Sequence, residues 1–94
     1  MALFPTGTLL LTRAVNDRMA DDLEFTKFVT ESIARHKRGD WGDVCAEDKA
    51  ENNLSLHRGW RLFSAYANGG QLPKIWVITE ADRSATTVLF PEDY

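Results

Sequence analysis

Lys74 to Thr79 reads KIWVIT, with no polar residue between Ile75 and Ile78. The run is too short for a helix, rich in β-branched residues and apolar on both pleats, as a central strand would be. Turn residues bound it on either side. Asn68-Gly69-Gly70-Gln71 precedes it and Ala81-Asp82-Arg83-Ser84 follows, each of hairpin length. Beyond them lie two more strand-like runs. Trp60 to Tyr66 (WRLFSAY) alternates Trp60, Leu62, Ser64 and Tyr66 against Arg61, Phe63 and Ala65, and Ala85 to Phe90 (ATTVLF) stops at Pro91. Strands joined by short turns predict an antiparallel meander at the C-terminal end.

The N-terminal half reads differently. Thr6 to Arg13 (TGTLLLTR) predicts a short strand with Leu9 and Leu11 on one face. Ala14 to Ala20 fits a turn or a single helical turn. Leu23 to Arg38 carries Phe25, Phe28, Val29, Ser32, Ile33 and His36 at helical spacing. Asp21 or Asp22 can cap its start, cations close its last turn, and Gly39 supplies a left-handed stop. A second helix is expected from about Cys45 to Arg58, ended by Gly59. Its stripe would be Cys45, Ala46, Ala50, Leu54 and the His57 ring, with Leu56 at the margin, and Asp43 would be its N-cap. The order β-α-α-β-β-β predicts an α+β fold, an antiparallel sheet of three or four strands with two helices on one face. Residues 1–94 are expected to form a single domain.

Composition narrows the function. The 44% hydrophobic content supports a core, and the lone Cys45 can make neither an internal disulfide nor a cysteine-based zinc site. No basic leader or membrane-length apolar run is present, so a cytoplasmic protein without membrane contact is expected. A net charge of −3 gives no general support for direct nucleic-acid binding. Between residues 40 and 53, Asp40, Asp43, Glu47, Asp48 and Glu51 stand against Lys49 alone. The spacing of a calcium loop is absent there, and no glycine-rich phosphate loop, HExxH or GxSxG occurs, so neither metal nor cofactor is expected.

Gly39 to Val44 (GDWGDV) concentrates the open questions. Trp41 between two glycines is either a partner contact or a lid folded onto the core. The candidate partner-binding residues are therefore Asp40, Trp41, Asp43, Glu47, Asp48 and Glu51, an acidic face for basic surface on another protein. The alternative is a small enzyme or ligand-binding domain with His36 or His57 beside a carboxylate near this turn. In Glu80-Ala81-Asp82-Arg83-Ser84, Asp82 is expected to accept from an amide two residues on, and Arg83 to brace a carboxylate.

The run RHKRGDWGDVCAEDKAEN from Arg35, then GWRLFSAY and IWVITEADRSATTVLFPEDY, resembles a family of small proteins of bacterial plasmids and integrative elements. Its members are usually labelled "plasmid-related protein" or "type I restriction endonuclease subunit M". The resemblance spans about Arg35 to Tyr94 and carries no catalytic residue. A methyltransferase subunit needs a cofactor-binding sheet and a catalytic motif, for which the chain has no room. The resemblance implies mobile-element context. It points to a non-enzymatic counter-defence inhibitor of anti-CRISPR or anti-restriction type, a monomer or small homo-oligomer. Its partner would be a protein complex of host defence or nucleic-acid processing.

Overall fold

The structure, a computed structural model, describes residues 2–94. Its elements are β1 (Thr8–Leu11), α1 (Arg13–Asp21), α2 (Leu23–Lys37), α3 (Ala46–Arg58), β2 (Leu62–Asn68), β3 (Leu72–Thr79) and β4 (Ala85–Leu89), closed by a 3-10 turn at Pro91–Asp93. The sheet order is β1-β4-β3-β2, with KIWVIT inside it as β3. The fold is α+β.

The sheet departs from the expected antiparallel pattern at one edge. β2, β3 and β4 form the antiparallel meander, but β1 runs parallel to β4, with Leu9 opposite Thr86 and Leu11 opposite Val88. A hairpin forces its strands antiparallel. The helical crossover that leaves β1 imposes no such sense.

Three helices form instead of two. Thr12 caps α1 by accepting from the Val15 amide at 3.4 Å, so the ambiguous stretch becomes nine helical residues. Asp22 ends α1 and starts α2: one carboxylate oxygen accepts from Phe25 N at 3.1 Å and the other from the Arg18 guanidinium at 3.1 Å. Those bonds hold the Asp22 carboxyl below its ordinary range, the Phe25 amide contributing most. The two helices cover one face of the sheet. Val15, Phe25 and Val29 pack there against Tyr66, Ile75, Val77 and Val88, all buried.

α3 does something else. It stands at the β2 edge, and the side chains it buries are Asn52 and Ser55, with Leu56 half-buried. The expected stripe of Cys45, Ala46, Ala50, Leu54 and His57 faces solvent. Asn52 explains why. Its Nδ2 donates to Phe63 O at 2.6 Å and its Oδ1 accepts from Phe63 N at 3.0 Å, so one amide side chain imitates a neighbouring strand. Asn52→Ala strands both Phe63 groups at a part-buried edge. It is expected to cost about 3 kcal/mol in urea denaturation; a loss below about 1 kcal/mol would show that water replaces the amide without penalty.

The GDWGDV segment seals the rest of that edge. Ala65 N donates to Trp41 O at 3.2 Å, and Asp43 N donates to Ala65 O at 2.7 Å, a parallel bridge centred on Gly42. Asp43 Oδ2 then accepts from Ala67 N at 2.9 Å. Asp43 is thus not the N-cap of α3; Cys45 occupies that position without a side-chain bond. From Phe63 to Ala67, every second amide of β2 meets an acceptor, which removes the row of free groups that makes a sheet edge adhesive.

Candidate functional site

The six candidate residues separate into two groups. Trp41 is 4% exposed, its ring folded onto the core as the lid alternative expects. Its ring stacks near Phe4 with centroids 6.2 Å apart and meets His36 edge-on at 5.6 Å, while its Nε1 donates to Asn53 Oδ1 at 3.0 Å. Asp40 is held by Arg35, whose Nε and Nη2 donate to its carboxylate at 2.7 and 3.1 Å, and it accepts from Gly42 N at 3.2 Å. The Arg35 bond, ahead of other causes, keeps its carboxyl below the ordinary range. Asp40 O also accepts from the Tyr66 hydroxyl at 2.6 Å, and burial pushes that phenol up to about 12. Asp40, Trp41 and Asp43 therefore all have structural work.

Glu47, Asp48 and Glu51 do not. All three are exposed on the first two turns of α3, and no described cation lies within 4.0 Å of any of them. Asp48 and Glu51 also reach a groove of about 480 Å³ on the side of the sheet away from α1 and α2. Pleat alternation puts Phe63 of β2 and Trp76 and Ile78 of β3 on that side, opposite Tyr66, Ile75 and Val77. Trp76 meets Phe63 edge-on at 5.1 Å and Tyr94 at 5.9 Å. Trp60, 42% exposed, and Tyr94, 72% exposed, form the rim. The groove joins residues from α3, two strands and the chain end. Its signal in the sequence was the meander itself: both pleats are apolar, and helices cover only one.

The loop beside it is fixed by Arg83. This residue has φ +61°, and its Nη1 donates to Trp60 O at 2.7 Å and Glu80 O at 3.1 Å, while Nη2 donates to Ser55 O at 3.2 Å. It braces carbonyls, not the expected carboxylate. Asp82 accepts from Ser84 N at 3.0 Å, as its spacing suggests.

The histidines lie apart from these acids. His36 is fully buried, with Nδ1 2.5 Å from Ser64 Oγ and Nε2 2.9 Å from Thr79 Oγ1. Proton counting assigns the ring. Thr86 Oγ1 donates to Thr6 O at 2.7 Å, so it must accept from Thr79 Oγ1, which lies 2.7 Å away. Thr79 has then spent its only hydrogen and accepts from His36 Nε2–H. In the neutral ring Nδ1 is left to accept from Ser64. Burial, then the Arg83 charge, lowers the imidazole to about 4. His36 packs under Trp41 but bonds only hydroxyls, so it forms no histidine–carboxylate pair at the GDWGDV turn. His57 is exposed on the last turn of α3. Among the described residues, no group of three or more His, Cys, Asp and Glu is arranged to hold a metal ion, and no helix is long and apolar enough to cross a membrane.

No protein-family model, curated protein or solved structure matches this chain.

Proposed function

We propose that the chain is a small non-enzymatic binding protein that presses an acidic helix face onto basic surface of a nucleic-acid-handling complex. The observation that carries this reading is the state of Glu47, Asp48 and Glu51: three carboxylates exposed together on α3, none paired with a described cation. Such a face speeds encounter with a positive surface and opposes direct contact with phosphate. The resemblance to plasmid and integrative-element proteins supplies the setting. In that setting the partner is a CRISPR or restriction complex of the host cytoplasm, and occupying its nucleic-acid surface protects the element.

The test is a plating assay joined to a binding measurement. Expression of the chain should raise the plating of phage that the host system attacks, and the purified chain should bind the purified complex less tightly as salt rises. Replacing Glu47, Asp48 and Glu51 with lysine is expected to weaken binding about a hundredfold, mostly through slower association. The helical circular-dichroism signal should stay, with about 1 kcal/mol lost from the first-turn dipole contacts. Full-strength binding by the triple variant would sink the acidic-face reading.

A further inference from the structure

The groove beside α3 has a chemistry more specific than general acidity. Its floor is aromatic and aliphatic, through Phe63, Trp76 and Ile78, and its rim carries the exposed rings of Trp60 and Tyr94. Asp48 and Glu51 hang over it, and among the described residues no cation lies within 4.0 Å of either. Ser55 adds an independent observation. It lines the groove, is 1% exposed, and its Oγ is buried without a hydrogen-bond partner. Buried hydroxyls are normally satisfied, which singles out this one in the groove wall.

We propose that this groove seats one arginine side chain of a partner protein, its guanidinium lying over the aromatic rings and paired with Asp48 and Glu51. Each part of the site suits that occupant. A guanidinium is planar, weakly hydrated and stacks on aromatic faces, while its fork of donors matches carboxylate oxygens. The aliphatic stem fits against Phe63 and Ile78, as long cationic side chains do elsewhere. An ammonium keeps its hydration shell and covers the rings poorly. An anion meets the two carboxylates. The protein's own rim already makes the same pairing: Arg58 lies 5.7 Å from the Trp60 ring centre and Arg61 5.8 Å from that of Tyr94.

Arg61 gives the proposal its sharpest test. Among the described residues it is the one cation on the groove lining, where it donates to the Tyr94 hydroxyl at 2.9 Å. A positive group there opposes an incoming guanidinium and would favour an incoming anion. Its removal therefore has opposite effects under the two assignments.

This inference relies on the acidic-face reading only for the source of the arginine, and a short probe tests it apart from any partner. The blocked tripeptides Gly-Arg-Gly, Gly-Lys-Gly and Gly-Gln-Gly would be titrated into the full ¹⁵N-labelled chain, following the three indole N–H signals. The Trp60 and Trp76 signals should move saturably with the arginine probe, while that of the buried Trp41 stays still. Lysine should bind at least about threefold more weakly and glutamine at least about tenfold. The double variant Asp48→Asn, Glu51→Gln should lose about tenfold and Arg61→Gln should gain about threefold. No saturable shift, equal binding of lysine or glutamine, or weaker binding by Arg61→Gln would each overturn the assignment. If the probe binds but charge reversal leaves partner binding intact, the acidic-face reading fails and the groove stands. If the probe fails while charge reversal abolishes partner binding, the groove alone is wrong.

Discussion

Gly42→Ala is expected to cost about 4 kcal/mol, enough to remove much of the stability of a domain this small. Two causes add. Gly42 has φ +76°, a conformation that penalises any Cβ by about 1 kcal/mol. A methyl group there also collides with the Ala65 carbonyl oxygen and comes within 2.6 Å of the Tyr66 ring. The carbonyl cannot retreat, because it accepts from Asp43 N at 2.7 Å in the bridge that seals β2. Relief requires the 41–43 segment to leave the edge, taking Trp41 out of the Phe4–His36 cluster and breaking the Tyr66–Asp40 bond. Gly59→Ala is the built-in control. Gly59 has φ +72° but open space where a Cβ would go, so it should cost only about 1 kcal/mol. Urea denaturation of both variants, followed by tryptophan fluorescence, isolates the contact from the backbone strain. Equal losses would show that the bridge yields freely.

Local signals in the sequence were strong where local physics decides the structure. Asp22, Gly39 and Gly59 bound their helices as capping chemistry requires, and the turns on either side of KIWVIT set the meander. α3 and Asp43 depart from the reading for one reason. Hydrophobic spacing assumes that a helix docks through its apolar stripe, but α3 docks by feeding amide groups of β2 through Asn52, and Asp43 serves the same strand instead of its helix. Periodicity has no term for a polar side chain standing in for a strand. β1 departs in direction for another reason: its neighbour is chosen by a crossover, not by an adjoining turn. As for the site, acidic character was legible in residues 40–53, but burial and hydrogen bonding decide which acids are free. Trp60, Phe63 and Trp76 are separate events in the sequence, and only strand pairing and the return of Tyr94 bring them into one groove.

Acid should destabilise this protein in two stages, and His36 sets the first. Its folded-state value of about 4 lies below the 6.5 of the unfolded chain, so between those limits the unfolded state binds the extra proton. The sign follows: stability is undiminished above pH 6.5 and falls as pH drops toward 4. The full loss is about 3 kcal/mol, from the interval between the two values. Structure supplies the reason. A second proton would have to sit on Nδ1, where the neutral ring accepts from Ser64, inside a cluster closed by Phe4 and Trp41 with the Arg83 charge nearby. The carboxylates act later, because Asp22, Asp40 and Asp82 have lowered values and lose their contribution only below the ordinary carboxylate value of 3.8. His36→Gln separates the stages. The amide keeps one of the two ring contacts, so at pH 7 it should cost about 2 kcal/mol, yet its stability should be nearly flat from pH 7 to 4.5. The wild-type advantage then disappears as the medium acidifies. A wild-type protein equally stable at pH 7 and 4.5, or a variant that keeps the wild-type slope, would show that the buried imidazole does not govern the first stage.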